Sequence, residues 1–294
     1  MSLIASIETG GTKVFAAVAE RENPHTLIET CRITTTDDPD RTLGALADFL
    51  AEHHRFSRIE AIGVASFGPL ETDPASAQYG WITTTPKPGW RNTDLNRAFA
   101  RLDDVPVAFV TDVTGSLLGE RWNGAAVGLD NLAYATIGTG IGVGVMVHGR
   151  LVTGHGTPEL GHFLVRRHPA DDYLGTCPFH ADCAEGLASG PAVLQRWGRT
   201  AAHPEEIDIL AHYIAQLVLV TTLSVAPQKI VLGGGVMKTE GLLAAVREQA
   251  AVLTNGYLGV DHPLQNPGAN FIVAPGLGDL AGIHGGLELA LGLL

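Results

Sequence analysis

Two kinds of hydrophobic pattern alternate along the chain. Short apolar runs bounded by small or polar residues predict strands at Leu3–Ile7, Val14–Val18, Ile59–Ala65, Val105–Val110, Leu132–Ile137, Val143–Val147 and Lys229–Leu232. Apolar residues at helical spacing predict helices. Leu43, Leu46, Ala47 and Leu50 mark one over Asp40–Glu52, and Leu280, Ile283, Leu287 and Leu291 mark another over Asp279–Leu291. A third runs over Ile207–Val220. The stretch Ile207–Ala226 is apolar enough to raise a membrane span, but Asp208, His212, Gln216 and its threonines interrupt it. A buried amphipathic helix is the expectation there, with no membrane contact.

The first two strands flank Glu8-Thr9-Gly10-Gly11-Thr12-Lys13, and the strands at 132–137 and 143–147 flank Gly138-Thr139-Gly140-Ile141-Gly142. Both read as hairpins with turns of Gly and Thr, unlike the strand-loop-helix of a Walker loop or a Rossmann fingerprint. Each half later sends a strand into another small-residue turn, Ser66-Phe67-Gly68-Pro69 and Gly233-Gly234-Gly235. The repetition predicts a loose internal duplication and two α/β lobes with a cleft between them. Residues 1–111 would form a small N-terminal lobe completed by the helix at 279–294, and residues 112–278 a large C-terminal lobe. A chain of 294 residues suits two domains.

Composition narrows the function. Hydrophobic residues at 45% and charged residues at 17% exclude a disordered chain. Acids outnumber Lys and Arg 31 to 19, and the net charge of -12 repels phosphate backbones, so no nucleic-acid partner is expected. Three cysteines make no disulfide framework, and no basic, then apolar leader opens the chain, so a reducing, cytoplasmic compartment is expected. Thr34–Asp38 reads as a solvated loop.

Three constellations carry chemistry. A triphosphate needs backbone N–H groups that approach closely, and Gly10, Gly11, Gly138 and Gly140 permit that because they lack Cβ. The hydroxyls of Thr9, Thr12 and Thr139 and the ammonium of Lys13 add donors, and an acid such as Glu8 can hold magnesium. One such turn is an ordinary hairpin. Two of them, with the triple glycine, point to a nucleotide. Asp112 directly follows the strand Val105–Val110, where ligands of open α/β sheets sit, and could accept a proton from a substrate hydroxyl; it could equally cap a helix. His162 with Cys177-x2-His180-x2-Cys183 offers two imidazoles and two thiols, the set of a closed structural zinc site, although His155 and His168 compete as the upstream ligand. The insertion is expected to need the metal for its order.

Five motifs together resemble the ROK family of sugar kinases and repressors: Glu8–Lys13, Gly63-Val-Ala-Ser-Phe-Gly-Pro69, Gly138–Gly142, Glu159-Leu-Gly-His162 and Gly233–Gly235. The resemblance runs from about Ile4 to about Gly285. It implies a two-lobed actin-like ATPase (RNase H-like) fold with a zinc-binding segment at 155–190 in the second lobe, and a homodimer. It puts Asp112 on the catalytic base and Glu159 and His162 on the sugar pair, with Gly68 and Thr85 as further sugar contacts. It makes His162 the upstream zinc ligand. Thr9, Gly10, Gly11, Thr12, Lys13, Gly138, Thr139, Gly140, Pro191, Gly234, Gly235 and Lys238 fall on the ATP side. Glu8 stands where Asp is more common, so its link to Mg²⁺ would run through water, and Thr114 replaces a frequent Asn.

Within the family, Thr85-Pro-Lys-Pro-Gly-Trp90 and the segment from Arg166 through Cys177-Pro-Phe-His180-Ala-Asp-Cys183 to Pro191 look like bacterial fructokinases. The Cys-x-Cys-Gly-x-x-Gly-Cys pattern of glucokinases is absent. The activity implied is ATP-dependent phosphorylation of D-fructose at its 6-hydroxyl, with Pro86 and Pro88 stiffening the specificity loop and Trp90 bracing it. A glucose, mannose or N-acetyl amino sugar kinase is the alternative, then a silent sugar-binding protein. A sugar-responsive repressor is opposed by the acidic charge and by a hairpin that begins at Leu3, leaving no room for a helix-turn-helix.

Overall fold

Each Gly/Thr turn does close a hairpin. The computed structural model describes residues 2–85 and 87–294, so Pro86 of the expected specificity loop lies outside the described residues. The strands are β1 (Leu3–Thr9), β2 (Lys13–Glu20), β3 (Asn23–Thr34), β4 (Ile59–Ser66), β5 (Trp81–Ile82), β6 (Thr93–Asp94), β7 (Val107–Thr111), β8 (Leu132–Ile137), β9 (Ile141–Val147), β10 (Arg150–Leu151), β11 (Lys229–Gly233) and β12 (Ile272–Val273). The α-helices are α1 (Pro39–Phe56), α2 (Asp112–Asn123), α3 (Ala184–Ala188), α4 (Gly190–Trp197), α5 (Pro204–Val225), α6 (Leu242–Thr254) and α7 (Ala281–Leu291). They form two compact units, Met1–Val127 with Asp279–Leu294, and Gly128–Gly278.

In the first unit the sheet order is β3-β2-β1-β4-β7, with β1, β4 and β7 parallel and β1-β2-β3 antiparallel. The register pairs Thr9 with Ser66 and Ser66 with Thr111, so three strands end in a row. Leu43, Leu46 and Leu50 of α1 pack with Leu3, Ile7 and Val64 on one side, and Leu287 and Ala290 of α7 pack with Ile4 and Ala61 on the other. Asp38 caps α1 by accepting from the backbone N–H groups of Asp40 and Arg41, and Pro39 opens the helix. Strand β3 was not expected. Its twelve residues, NPHTLIETCRIT, form a half-exposed edge strand without a clean two-residue alternation.

Helix α2 belongs to this unit, so the division falls after Val127, beyond the expected break before Asp112. The reason is backbone contact. A Cβ on Gly119 would lie 2.0 Å from the Ala281 carbonyl oxygen, and one on Gly285 would lie 1.8 Å from the Gly115 carbonyl oxygen. Only glycine lets α2 and α7 approach this closely.

The second unit repeats the plan, with sheet order β10-β9-β8-β11-β12, β8, β11 and β12 parallel and β8-β9-β10 antiparallel. The duplication inferred from the turns is thus one of topology. Among the described residues one helix, α5, is long and apolar enough to cross a membrane, and half of that window is buried. Its Leu210, Tyr213, Ile214 and Val218 are core residues packed with β8, β9 and β11.

Gly285→Ala is expected to destabilise the protein by about 1–3 kcal/mol, the usual cost of forcing atoms into a filled contact. Denaturant unfolding measures it; an unchanged midpoint would mean that α2 and α7 separate freely.

Candidate functional site

In the first unit the phosphate-type turn is built from its backbone. The Gly10 N–H donates to the Lys13 carbonyl at 2.8 Å, and Thr12 and Lys13 are exposed. Thr9 departs from the expectation that its hydroxyl faces a phosphate. It is buried and donates to Ser66 Oγ at 2.6 Å, which donates on to the Phe67 carbonyl at 2.9 Å. Thr35 was read as solvated and is buried. Its N–H donates to the Thr12 carbonyl at 3.0 Å and its hydroxyl to the Gly10 carbonyl at 2.8 Å, so it holds the turn from beneath.

Behind the turn, Glu8 is crowded by acids. Burial first, then the charges of Asp112 and Asp279, push its carboxyl up to about 7, with Lys13 pulling the other way. Gly282 makes room, since a Cβ there would lie 2.6 Å from the Glu8 carboxyl carbon. Mutually repelling carboxyls with hard oxygen donors fit magnesium. They do not close into a direct ligand set of the kind described below, so a cation here would be held largely through phosphate oxygens and water.

Asp112 is the first residue of α2, at the end of β7. The cap is Thr111, whose hydroxyl accepts from the Thr114 N–H at 3.3 Å and donates to the Thr114 hydroxyl at 2.8 Å. Asp112 is therefore not needed as the cap. Its Oδ1 accepts from the Val113 N–H at 2.8 Å, which fixes the half-buried carboxylate at the helix N-terminus. The pairing with Thr111 also leaves Thr114 as part of the cap. Gly68 lies in the segment between β4 and Leu70, and half-buried Thr85 accepts from the Lys87 N–H at 3.3 Å.

In the second unit three segments meet at the other turn. The Gly138 N–H donates to the Gly140 carbonyl at 2.9 Å, and the Gly190 N–H donates to the Gly138 carbonyl at 2.7 Å, which brings Pro191 and the start of α4 alongside. Gly234, at φ +93, sits so close to Ile137 that a Cβ would lie 2.3 Å from its carbonyl oxygen. Thr139 is exposed, and Lys238 ends the short turn of helix that follows Gly235.

Glu159 precedes and His162 ends a 3₁₀ turn whose Gly161 lies against Ile141; a Cβ there would be 1.9 Å from its carbonyl oxygen. Desolvation holds the Glu159 carboxyl above its usual range although the residue as a whole is exposed, with His162 opposing the shift and Glu185 adding to it. Glu185 escaped the sequence reading. Its Oε2 accepts from the Ile141 N–H at 2.9 Å and its Oε1 stands 4.0 Å from His162 Nε2, so it joins the Gly138–Gly142 turn to the Glu159–His162 segment. A carboxylate two residues after a metal-type cysteine was the available signal.

The four metal-type residues come together. His162, Cys177, His180 and Cys183 bring their ligand atoms within 4.8 Å of one another, the one such set among the described residues. Nδ1 of His162 lies 3.6 Å from Cys177 Sγ and 3.7 Å from Cys183 Sγ, and Nδ1 of His180 lies 3.8 Å from Cys177 Sγ. A tetrahedral zinc with ordinary bond lengths has N–S edges of about 3.6 Å, so the set fits. Burial, with Cys177 adding to it, pushes the Cys183 thiol up to about 11 against the Gly186 and Glu185 N–H groups; a bound dication reverses that balance by taking the thiolate. His155 is exposed, and His168 is engaged with Asp208 at 3.2 Å. Part of the insertion has its own anchor. Asp171 is buried, paired with buried Arg196 at 3.1 Å and accepting from the Tyr213 hydroxyl at 2.6 Å.

A duplicated sheet with a Gly/Thr hairpin in each half defines a two-lobed ATPase of the actin-like class. Residues 4–292 match the ROK family, and the chain belongs to it. It is 41% identical to the fructokinase of Zymomonas mobilis subsp. mobilis over 97% of this chain and 95% of that one. It is 40% identical to the fructokinase of Pediococcus pentosaceus over 98% and 97%. The crystal structure of the ROK hexokinase from Thermus thermophilus superposes with a TM-score of 0.76 at 26% identity, covering 98% of this chain and 97% of that one.

Elemental analysis is expected to find one zinc per chain, lost in Cys183→Ser. Chelation should loosen Cys177–Cys183 and leave Asp171–Tyr173 protected in hydrogen exchange, because Arg196 and Tyr213 hold that end without metal. Metal-free protein with the Cys177–Cys183 loop fully protected would exclude the zinc.

Proposed function

We propose that the chain is an ATP-dependent fructokinase that converts D-fructose to D-fructose 6-phosphate. What carries the reading is near-full-length identity of about 40% to fructokinases, joined to the placement of Asp112 at the end of β7, next to the N-cap Thr111. In this reading the Asp112 carboxylate accepts the proton of the fructose 6-hydroxyl. The 6-oxygen forms a bond to the γ-phosphorus, the bond from that phosphorus to the β–γ bridging oxygen breaks, and ADP departs with the pair of electrons. Glu159 and His162 hydrogen-bond sugar hydroxyls, with Gly68 and Thr85 as further contacts and Glu185 orienting His162. The backbones of Gly10, Gly11, Gly138 and Gly140, with Thr12, Lys13 and Thr139, receive phosphate oxygens, and Pro191, Gly234, Gly235 and Lys238 border the nucleotide.

Magnesium near Glu8 supplies neutralisation of phosphate charge when bound. His162, Cys177, His180 and Cys183 would hold zinc, which would fix His162 at Nδ1 and leave its Nε2 for the sugar side. The proposal includes a cytoplasmic location, in keeping with three free cysteines, and a homodimer.

ADP release across a hexose panel tests the reading. Fructose is expected to give the highest kcat/KM, with mannose or glucose slower by roughly 5- to 150-fold, the effect of one buried polar group left unpaired. Glucose outrunning fructose tenfold would reject the sugar and keep the kinase. Asp112→Asn should retain sugar binding and lose turnover by about 10²–10⁴-fold; turnover within a few-fold of wild type would remove Asp112 from the chemistry.

A further inference from the structure

The Lys87–Trp90 segment and the Gly10–Thr12 turn are joined by a third segment of the same unit, Thr35–Asp37. At one end Thr35 makes the two hydrogen bonds to the Thr12 and Gly10 carbonyls. At the other end the indole N–H of Trp90 donates to the Thr36 carbonyl at 2.7 Å. Gly89 lies on Asp37 so closely that a Cβ would be 1.9 Å from its carbonyl oxygen, and Lys87 Nζ stands 3.7 Å from Asp37 Oδ1. Trp90 is fully buried, with its ring edge-to-face on Phe67 at 5.4 Å, so the indole is held in place.

The link is short and stiff. Between the Thr35 contacts and the Thr36 carbonyl lie one planar peptide unit and the φ and ψ of Thr36, which the Thr36 N–H bond to Thr42 restrains. The far side is anchored: the Thr36 N–H donates to the Thr42 hydroxyl at 3.2 Å, and Asp38 caps α1. How firmly the loop holds Trp90 therefore bears on how firmly the carbonyls that shape the turn are held.

We propose that Thr35–Asp37 is a strap that couples the two, so that fructose seated at Thr85, against the Lys87–Trp90 segment, strengthens the turn's hold on a nucleotide phosphate. Thr35 and Trp90 are positioning residues, acting through Gly10–Thr12. The inference rests on the kinase reading above. Linkage makes the coupling reciprocal, and an effect of ordinary size is roughly 5- to 150-fold in affinity.

The test measures binding of Mg²⁺-AMPPNP by calorimetry with and without saturating fructose, in wild type, Thr35→Val, Thr35→Ser, Trp90→Phe, Lys87→Met and the Thr35→Val/Trp90→Phe double variant. Thr35→Val preserves shape and removes the hydroxyl bond; Trp90→Phe keeps a ring and removes the indole N–H. Fructose should tighten AMPPNP binding to wild type, and each of these two variants should bring that factor several-fold closer to one. Affinity for fructose alone should be unchanged in Thr35→Val, and Thr35→Ser should restore the factor. Because the contacts lie in series, the double variant should be no worse than the worse single one. If Trp90→Phe fails to fold, Lys87→Met carries the loop end of the test. Variants that keep the wild-type factor, or losses that simply add, would overturn the strap while wild-type turnover keeps the kinase reading. Wild type that binds no fructose would overturn both.

Discussion

The parallel register of β1, β4 and β7 is the constraint on which the chemistry of the first unit depends. Thr9, Ser66 and Thr111 stand side by side only because the three strands run the same way without offset at that end. The phosphate-type turn, the Gly68 segment and Asp112 each follow one of these residues, so the register alone brings them to one edge. The buried hydroxyl chain from Thr9 through Ser66 to Phe67 ties two of the strand ends together. A one-residue slip of β7 would also exchange Phe109 and Val110 between the two faces of the sheet.

Glycine supplies the second constraint. Helices α2 and α7 touch backbone to backbone at Gly115, Gly119 and Gly285, which brings Gly282 against the Glu8 carboxyl and α2, with Asp112 at its head, against β4. The second unit uses the same device. Gly161 and Gly234 press the Glu159–His162 segment and the triple-glycine turn onto the two ends of the Gly138–Gly142 hairpin turn. The abundance of glycine in this chain is thus partly a matter of packing distance, beyond the needs of tight turns.

Much of this was legible in the sequence where local chemistry decides the outcome. Both hairpins, α1, α5 and the Cys/His set follow from spacing and turn residues. Strand β3 did not, because three of its twelve residues, Leu27, Cys31 and Ile33, pack against a core, too few to leave a clean alternation to read. Thr35 reads as a loop residue because its burial is imposed from a distance, with its bonds going to the Gly10–Thr12 turn. Capping by Thr111 instead of Asp112 is a difference of one residue that propensity does not resolve. Glu185 lacked a motif of its own; its importance comes from two partners, Ile141 and His162, brought together by tertiary packing.

The reaction proposed for this chain is phosphoryl transfer from ATP to the 6-oxygen of fructose. Carbon-13 and phosphorus-31 NMR of the product formed from ¹³C-labelled fructose, ATP and Mg²⁺ tests it most directly. A single new phosphate ester whose phosphorus couples to C6 is expected, formed in step with ADP. A phosphorus coupled to C1, or ADP released with inorganic phosphate and no sugar ester, would contradict it.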